Sequence, residues 1–411
     1  MRPERPLRFL FLHSRTGGGH IRVARTVAEA LQERYGEDAK VTLVDALAEY
    51  APWPLSAAPR WYPLALRGDG KVYGFGFTVL NGPRRVQAIV HLLWPIVYPR
   101  AVRLLRDHPA DVVVSFHPVP LYAVSRAMEM ICPDVPLVAV GTDLVVMHGA
   151  WVAPGVRRYL VATEEAREQL LRHGVEPERI EVTGLPIARV FREVAQEDPR
   201  EVRRRLGLIP DLTTVLVIGG GVGVESLEEV ACAVAAAVPE AQMVVVAGQN
   251  ERLRARLASI SWPCRVRVEG FVENMHEWMR AADVLVTKAG PTTIAEAMTV
   301  GIPMVLWGAI PAQETPNVRL VVKAGAGIWA PGARRAAEAV AYLLRHSGIR
   351  LAAARESSRM ASPEAAERVA AILWEIGQRG APLPGDVPIQ NSPHKRTLRW
   401  FWFRRRVTGL W

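Results

Sequence analysis

Directly after the apolar run Leu7–Leu12 the chain reads Ser14-Arg15-Thr16-Gly17-Gly18-Gly19-His20, and a helix pattern follows at once. Consecutive glycines let backbone N–H groups approach a ligand closely, and a helix starting there turns its positive end toward the same spot. Phosphate, or an anion that develops during a reaction, suits such a loop, with Gly18 and Gly19 as candidate donors. His20 falls in the first helical turn, where a neutral imidazole can take a proton from an alcohol near pH 7. A histidine that only caps the helix is the plainer alternative. The loop lacks the Lys-Ser/Thr ending of a P-loop and does not match the dinucleotide fingerprint. A second run, Gly219-Gly220-Gly221-Val222-Gly223, follows another apolar stretch and makes Gly220 and Gly221 further phosphate candidates. It also fails as a dinucleotide fingerprint, because Val224 stands at the third glycine position.

The segment Thr287-Lys288-Ala289-Gly290-Pro291-Thr292-Thr293-Ile294-Ala295-Glu296-Ala297-Met298 carries the densest signal. Gly290 permits a turn and Pro291 suits the start of a helix. Thr292 and Thr293 offer hydroxyls and N–H groups to a diphosphate at the helix N-terminus. Glu296 comes about one turn later, where a carboxylate can accept both hydroxyls of a ribose; as a bland alternative it is a favourable partner of the helix dipole. Downstream, Pro311-Ala312-Gln313-Glu314-Thr315-Pro316-Asn317 follows the strand-like Met304–Trp307. Its place at the carboxyl edge of a sheet lets Gln313, Glu314 and Asn317 hydrogen-bond sugar hydroxyls.

These residues need a scaffold that brings several strand ends together. Short apolar runs alternate with helix-patterned stretches along the chain, the signature of βαβ units and parallel sheets. Strands are expected near 7–12, 41–45, 111–115, 136–140 and 158–162, then near 214–218, 242–247, 265–269, 283–287 and 303–307. The length of 411 residues exceeds what one core usually serves, so the reading is α/β with two domains. Residues 1–195 form the first and 196–380 the second, divided in the charge-rich stretch after Phe191. Residues 381–411 are a basic, aromatic tail. Within the first domain, 51–100 is an insertion rich in aromatics, including Trp53, Trp61, Phe75 and Trp94.

A net charge of +10 and a pI near 9.9 point to an anionic partner, either a nucleotide, an acidic lipid surface or nucleic acid. The three cysteines, Cys132, Cys232 and Cys264, form neither a metal motif nor an even disulfide set. The N-terminal apolar run is too short for a signal peptide, and Val86–Tyr98 falls short of the ~20 apolar residues that span a bilayer. The expectation is a cytoplasmic protein held peripherally on the inner face of the cell membrane. Alternating cations and indoles in the insertion and the tail, from Lys395 to Arg406, suit an anionic headgroup region.

Taken in order, Thr16–His20, Ser115-Phe116-His117-Pro118, Thr142-Asp143-Leu144, Thr183-Gly184-Leu185-Pro186, Gly219–Gly221, Gly270-Phe271-Val272, Thr287–Met298 and Gln313-Glu314 resemble the motifs of a known family. It comprises the lipid-directed glycosyltransferases that include plant-type monogalactosyldiacylglycerol synthase and bacterial processive diacylglycerol glucosyltransferases. They are related more distantly to the transferase that completes the lipid-linked peptidoglycan precursor. The resemblance covers Leu10 to about Gly327 and implies two Rossmann-like domains facing across a cleft, the GT-B arrangement. It implies that His20 activates the acceptor hydroxyl, that Pro291–Met298 binds the donor's diphosphate and ribose, that Phe271 and Val272 lie by the uracil, and that Gln313 and Glu314 handle the sugar. Asp143 becomes a second catalytic candidate. His117, His148 and Trp151, with Trp61 and Trp94 of the insertion, go to the acceptor and membrane side. Thr292 departs from the family, standing where many relatives have glycine.

The implied reaction moves a hexose from UDP-glucose or UDP-galactose to diacylglycerol with inversion. No cofactor and no metal are expected, and the chain has no Asp-x-Asp motif. The rivals are a soluble sugar-nucleotide epimerase or hydrolase on the same fold, and a basic nucleic-acid-binding protein. For the second, no recognised nucleic-acid motif is present.

Overall fold

The computed structural model describes residues 5–15, 18–57, 71–219 and 226–379. Twelve strands among them form two six-stranded parallel sheets. The first has β1 (Leu7–His13), β2 (Ala39–Asp45), β3 (Val112–Ser115), β4 (Leu137–Val140), β5 (Val156–Val161) and β6 (Ile180–Val182), in the order β2-β1-β3-β4-β5-β6. The second has β7 (Thr214–Ile218), β8 (Gln242–Val246), β9 (Arg265–Glu269), β10 (Val284–Lys288), β11 (Met304–Gly308) and β12 (Gly327–Trp329), in the order β12-β11-β10-β7-β8-β9. Central strands such as β3 and β7 are buried along their whole length, which is why they read as unbroken apolar runs. β6 and β12 have three residues each and lie at sheet edges, too short to leave a pattern in the sequence.

Each sheet reverses its winding once. β1 leads to β2 on one side, and the chain then returns to place β3 on the other. In the same way β7 leads to β8, and later β10 pairs on its opposite flank. Loops leaving the carboxyl ends of β1 and β3, and of β7 and β10, therefore splay apart and leave a crevice. The motifs singled out above lie on those loops: Gly18–His20 after β1, Phe116–Pro118 after β3, and Gly290–Glu296 after β10.

The chain crosses between the halves twice, and the crossings touch. Gly184 adopts φ +88°, and a Cβ there would overlap the Ser362 side chain. After the second crossing the helix Ala365–Arg379 packs on the first sheet, not the second. Trp374 stacks on Tyr35 at 4.0 Å and 7°, and a Cβ on Gly377 would come 3.1 Å from Leu7. The division into 1–195 and 196–380 thus leaves out a helix belonging to the first unit, because an amphipathic pattern does not say which sheet it covers.

The described residues of the insertion from 71 onward are mostly helical, with Lys71–Leu80, Pro83–Leu92 and Trp94–Asp107; the last two meet at 92°. No single described helix is long and apolar enough to cross a membrane, although this bent pair passes by length and composition. Large apolar side chains are left outside here: Trp53 is 83% exposed, Phe75 74% and Leu92 82%.

Trp374→Ala should remove the clamp that holds the terminal helix on the first sheet and cost about 3–5 kcal/mol, as for other buried Trp truncations. Equilibrium urea unfolding checks this, and an unchanged midpoint would show that the stacked pair holds nothing.

Candidate functional site

The two crevices meet, and four contacts join the halves there. A Cβ on Gly19 would lie 3.1 Å from Thr292 Oγ1, and Arg22 Nη1 is 2.9 Å from Glu296 Oε1. Gln313 Nε2 donates to Asp143 Oδ1 at 3.4 Å, and a Cβ on Gly74 of the insertion would lie 2.9 Å from Pro311. Residues far apart in sequence are thereby gathered at one place.

His20 opens the helix Gly19–Tyr35, which Gly18 begins in the left-handed conformation, φ +78°, that favours glycine. Its Nδ1 is 2.9 Å from the Phe116 carbonyl and 2.7 Å from Thr142 Oγ1. A carbonyl can only accept, so Nδ1 carries the proton and Nε2 keeps a free lone pair. Burial pushes the imidazole pKa down to about 4; the Phe116 carbonyl pulls the other way and His13 adds to the fall. The ring is neutral at pH 7.

His117, expected on the acceptor or membrane side, is buried with its ring edge-on to His20 at 4.4 Å. It caps the helix Pro118–Ile131, its Nδ1 accepting from the Val119 N–H at 3.2 Å. His148 likewise accepts from the Ala150 N–H and donates from Nε2 to the Phe77 carbonyl, which ties the insertion to the first sheet. Trp151 is fully buried, so the membrane side is corrected for it: its indole N–H points to Asp143 Oδ2 at 3.4 Å. Spacing alone could not distinguish a Trp that braces a carboxylate from one that meets lipid. Trp94 is half-buried beside Tyr98.

Burial pushes the Asp143 pKa up to about 6, the bonds from Gln313 and Trp151 hold it down, and the charge of Glu314 raises it further. Glu314, expected on the sugar, uses Oε2 to accept from the Ile310 N–H at 2.8 Å and so shapes its own loop. Asn317 does similar work, donating to the Ala289 carbonyl at 3.0 Å. Between Pro311 and Gln313, Ala312 sits at φ +65°, a strained conformation for a residue with a Cβ.

On the helix Pro291–Val300, the N-cap residue Gly290 brings no side-chain cap to the first N–H groups, among them those of Thr292 and Thr293. Gly290 has φ −67°, so its turn does not itself demand glycine. Glu296 is buried and paired with Arg22, which the sequence motifs did not single out: a lone arginine on a helix has no pattern to betray it. Phe271 is exposed and Val272 half-buried after β9. Thr16, Gly17, Gly220, Gly221, Trp61 and the tail 381–411 lie outside the described residues.

The monogalactosyldiacylglycerol (MGDG) synthase family matches residues 20–187, and the glycosyltransferase family 28 C-terminal domain matches 214–369. The chain is 36% identical to a probable MGDG synthase 2, chloroplastic, of Oryza sativa subsp. indica, over 90% of this chain and 81% of that protein. It is 30% identical to MGDG synthase 1, chloroplastic, of Arabidopsis thaliana, over 93% and 73%. Among solved structures, MurG of Acinetobacter baumannii matches with a TM-score of 0.58 at 18% identity, over 90% of this chain and 100% of that one. The UDP complex of Staphylococcus aureus MnaA gives 0.60 at 13%, over 93% and 100%. These two share the fold: two Rossmann-like units in the GT-B arrangement, as the sequence motifs imply.

The expected position on the inner face of the cell membrane does not stand, because the relatives just named are chloroplastic proteins. That expectation drew on reduced cysteines and on a missing signal-type run, and neither separates the cytosol from the interior of an organelle.

Asp143 has a folded pKa above its ordinary 3.8, so the folded state binds this proton more tightly. The resulting stability is present at low pH and is lost as pH rises from 3.8 to about 6. Asp143→Asn should therefore unfold at higher denaturant than the parent above pH 6, by roughly 1–3 kcal/mol, with the difference shrinking toward pH 4. A variant less stable than the parent at pH 8 would show that the carboxylate holds the site together.

Proposed function

This chain belongs to the MGDG synthase family, and from that premise we propose that it moves a hexose from UDP-glucose or UDP-galactose to the free hydroxyl of diacylglycerol, inverting the anomeric centre. The observation that carries the reading is His20: its Nδ1–H is fixed on a carbonyl, its Nε2 has no hydrogen-bond partner among the described residues, and a Cβ on the adjacent Gly19 would lie 3.1 Å from Thr292 at the start of the proposed donor helix. A base and a phosphate-binding helix end are thus adjacent.

In the proposed reaction His20 Nε2 takes the proton of the lipid hydroxyl, whose oxygen forms the new bond to the sugar's C1. The bond from C1 to the phosphate oxygen breaks, and its electron pair leaves with UDP. Open N–H groups at Thr292 and Thr293 stabilise the charge growing on that phosphate, as preorganised donors do in oxyanion holes. An imidazole with a pKa near 4 is a weak base. A diphosphate entering beside it favours the protonated form and restores basicity when it is needed. Glu296 would take the ribose hydroxyls. Asp143 and Gln313, bonded to each other across the halves, would face the acceptor and the sugar.

Access to lipid is supported by the insertion. Its exposed Trp53, Phe75 and Leu92 accompany exposed Arg84, Arg85, Arg100 and Arg103, a mixture suited to an anionic bilayer surface. Through Gly74 and Pro311 the same insertion reaches the loop proposed to hold the sugar.

Incubation with labelled UDP-glucose or UDP-galactose and diacylglycerol vesicles should yield a labelled glycolipid. His20→Ala should lower kcat by about 10²–10⁴, the usual worth of a general base, with the UDP dissociation constant nearly unchanged. Parallel losses in rate and UDP affinity would contradict the base role. The double variant Phe75→Ser, Leu92→Ser should sediment less with phosphatidylglycerol-containing vesicles, since each buried side chain of this size contributes about 1.5–3 kcal/mol. Undiminished sedimentation would remove the insertion from the lipid contact, and preferential sedimentation with duplex DNA would favour the nucleic-acid rival.

A further inference from the structure

Two helices begin where the crevices meet, Gly19–Tyr35 and Pro291–Val300, and their first turns face each other across the halves. Gly19 abuts Thr292, and about one turn further along each helix Arg22 meets Glu296. Both ends carry the positive pole of a helix dipole, so their approach is unfavourable unless negative charge lies nearby. Glu296 provides some of it from a side chain only 3% exposed, whereas the Arg22 side chain is 48% exposed. Burial disfavours the Glu296 carboxylate, and Arg22 offsets that cost. The pairing uses Arg22 Nη1, and a guanidinium has five N–H donors in a planar fork suited to phosphate.

This geometry sets up a competition. Arg22 occupies Oε1 of Glu296, so a ribose that places its two hydroxyls on both carboxylate oxygens has to displace it. A buried carboxylate can release its cation only to other hydrogen-bond donors, and two ribose hydroxyls are such donors. The freed guanidinium sits on the same helical turn as His20, beside two helix ends that favour anions. A diphosphate bound between those ends would give it a new anionic partner.

We propose that Arg22 is a counter-charge shared in turn by Glu296 and by the donor's diphosphate. On donor binding the ribose takes Glu296, and the guanidinium swings onto the diphosphate, where it neutralises the oxygen that receives the electron pair as the sugar's C1–O bond breaks. The two halves are held by the Arg22–Glu296 pair before the donor arrives and by the diphosphate between the helix ends afterwards. Arg22 thereby couples recognition of the nucleoside to activation of the leaving group. The proposal rests on the reading that Pro291–Glu296 holds a UDP-sugar.

The variants Arg22→Gln and Arg22→Lys test it, with UDP binding by calorimetry and turnover with UDP-sugar and diacylglycerol vesicles measured on the full chain. Arg22→Gln should lower kcat by about 10²–10³, as loss of a donor to developing charge does elsewhere. Its UDP affinity should stay close to the parent's, because the lost phosphate contact is offset by no longer having to break the pair with Glu296. Arg22→Lys, which keeps the charge but not the fork, should recover part of the rate. Loss of thermal stability with kcat intact would make Arg22 a static clasp and overturn the proposal, as would equal losses of kcat and affinity in both variants. Absence of UDP uptake by the parent protein would instead remove the underlying reading and the proposal with it, a result distinct from either of these.

Discussion

Two positively polarised helix ends held against each other are the constraint on which this molecule turns. Parallel sheets place helices so that their N-termini project from the carboxyl ends of strands, and each sheet reverses its winding where one such helix begins. When the halves face one another the two ends meet at Gly19 and Thr292. Neither end carries a side-chain cap. Uncapped helix ends of this kind favour negative charge. The fold, the pairing of Arg22 with Glu296 and the proposed diphosphate chemistry are successive answers to one electrostatic problem.

The same burial drives two titratable groups in opposite directions. It disfavours the charged form of each, so His20 falls to about 4 and Asp143 rises to about 6. His20 is kept as a neutral acceptor of protons. Asp143 stands near the point where it changes charge, held by Trp151 from its own half and by Gln313 from the other. Burial thereby reverses the order of the two groups, the imidazole titrating below the carboxyl group. The surrounding polar groups are spent on orientation: His117 caps the helix Pro118–Ile131, His148 caps a short turn, Asn317 ties its helix to Ala289, and Glu314 fixes its loop.

How legible this was depended on whether a feature is local. The buried central strands announce themselves, since a strand covered on both faces has to be apolar throughout, and the glycine at position 18 marks a left-handed turn. Pairings between the halves leave no such trace. Arg22 looks like any helical arginine until Glu296 is brought to it across 274 residues of chain. Trp151, which the family resemblance puts on the acceptor and membrane side, turns out to be core, because only the fold shows which face of its short turn is covered. The terminal helix Ala365–Arg379 shows the same limit on a larger scale: its apolar stripe is plain, and the sheet it serves is not. Glycines 220 and 221 remain readable from sequence alone.

Thr292 brings these threads together. The family motif commonly has glycine there, and a threonine in its place puts a branched side chain, largely buried, where the two helix ends approach. A Cβ on the facing residue, Gly19, would stand only 3.1 Å from its hydroxyl oxygen, so a side chain there would require Thr292 to shift, and glycine avoids that shift. In exchange a hydroxyl is placed at the helix end, where it can add a hydrogen bond to the backbone N–H groups around an anion. The close approach therefore sets one branched side chain against a residue that has none, and neither residue can be understood from its own half.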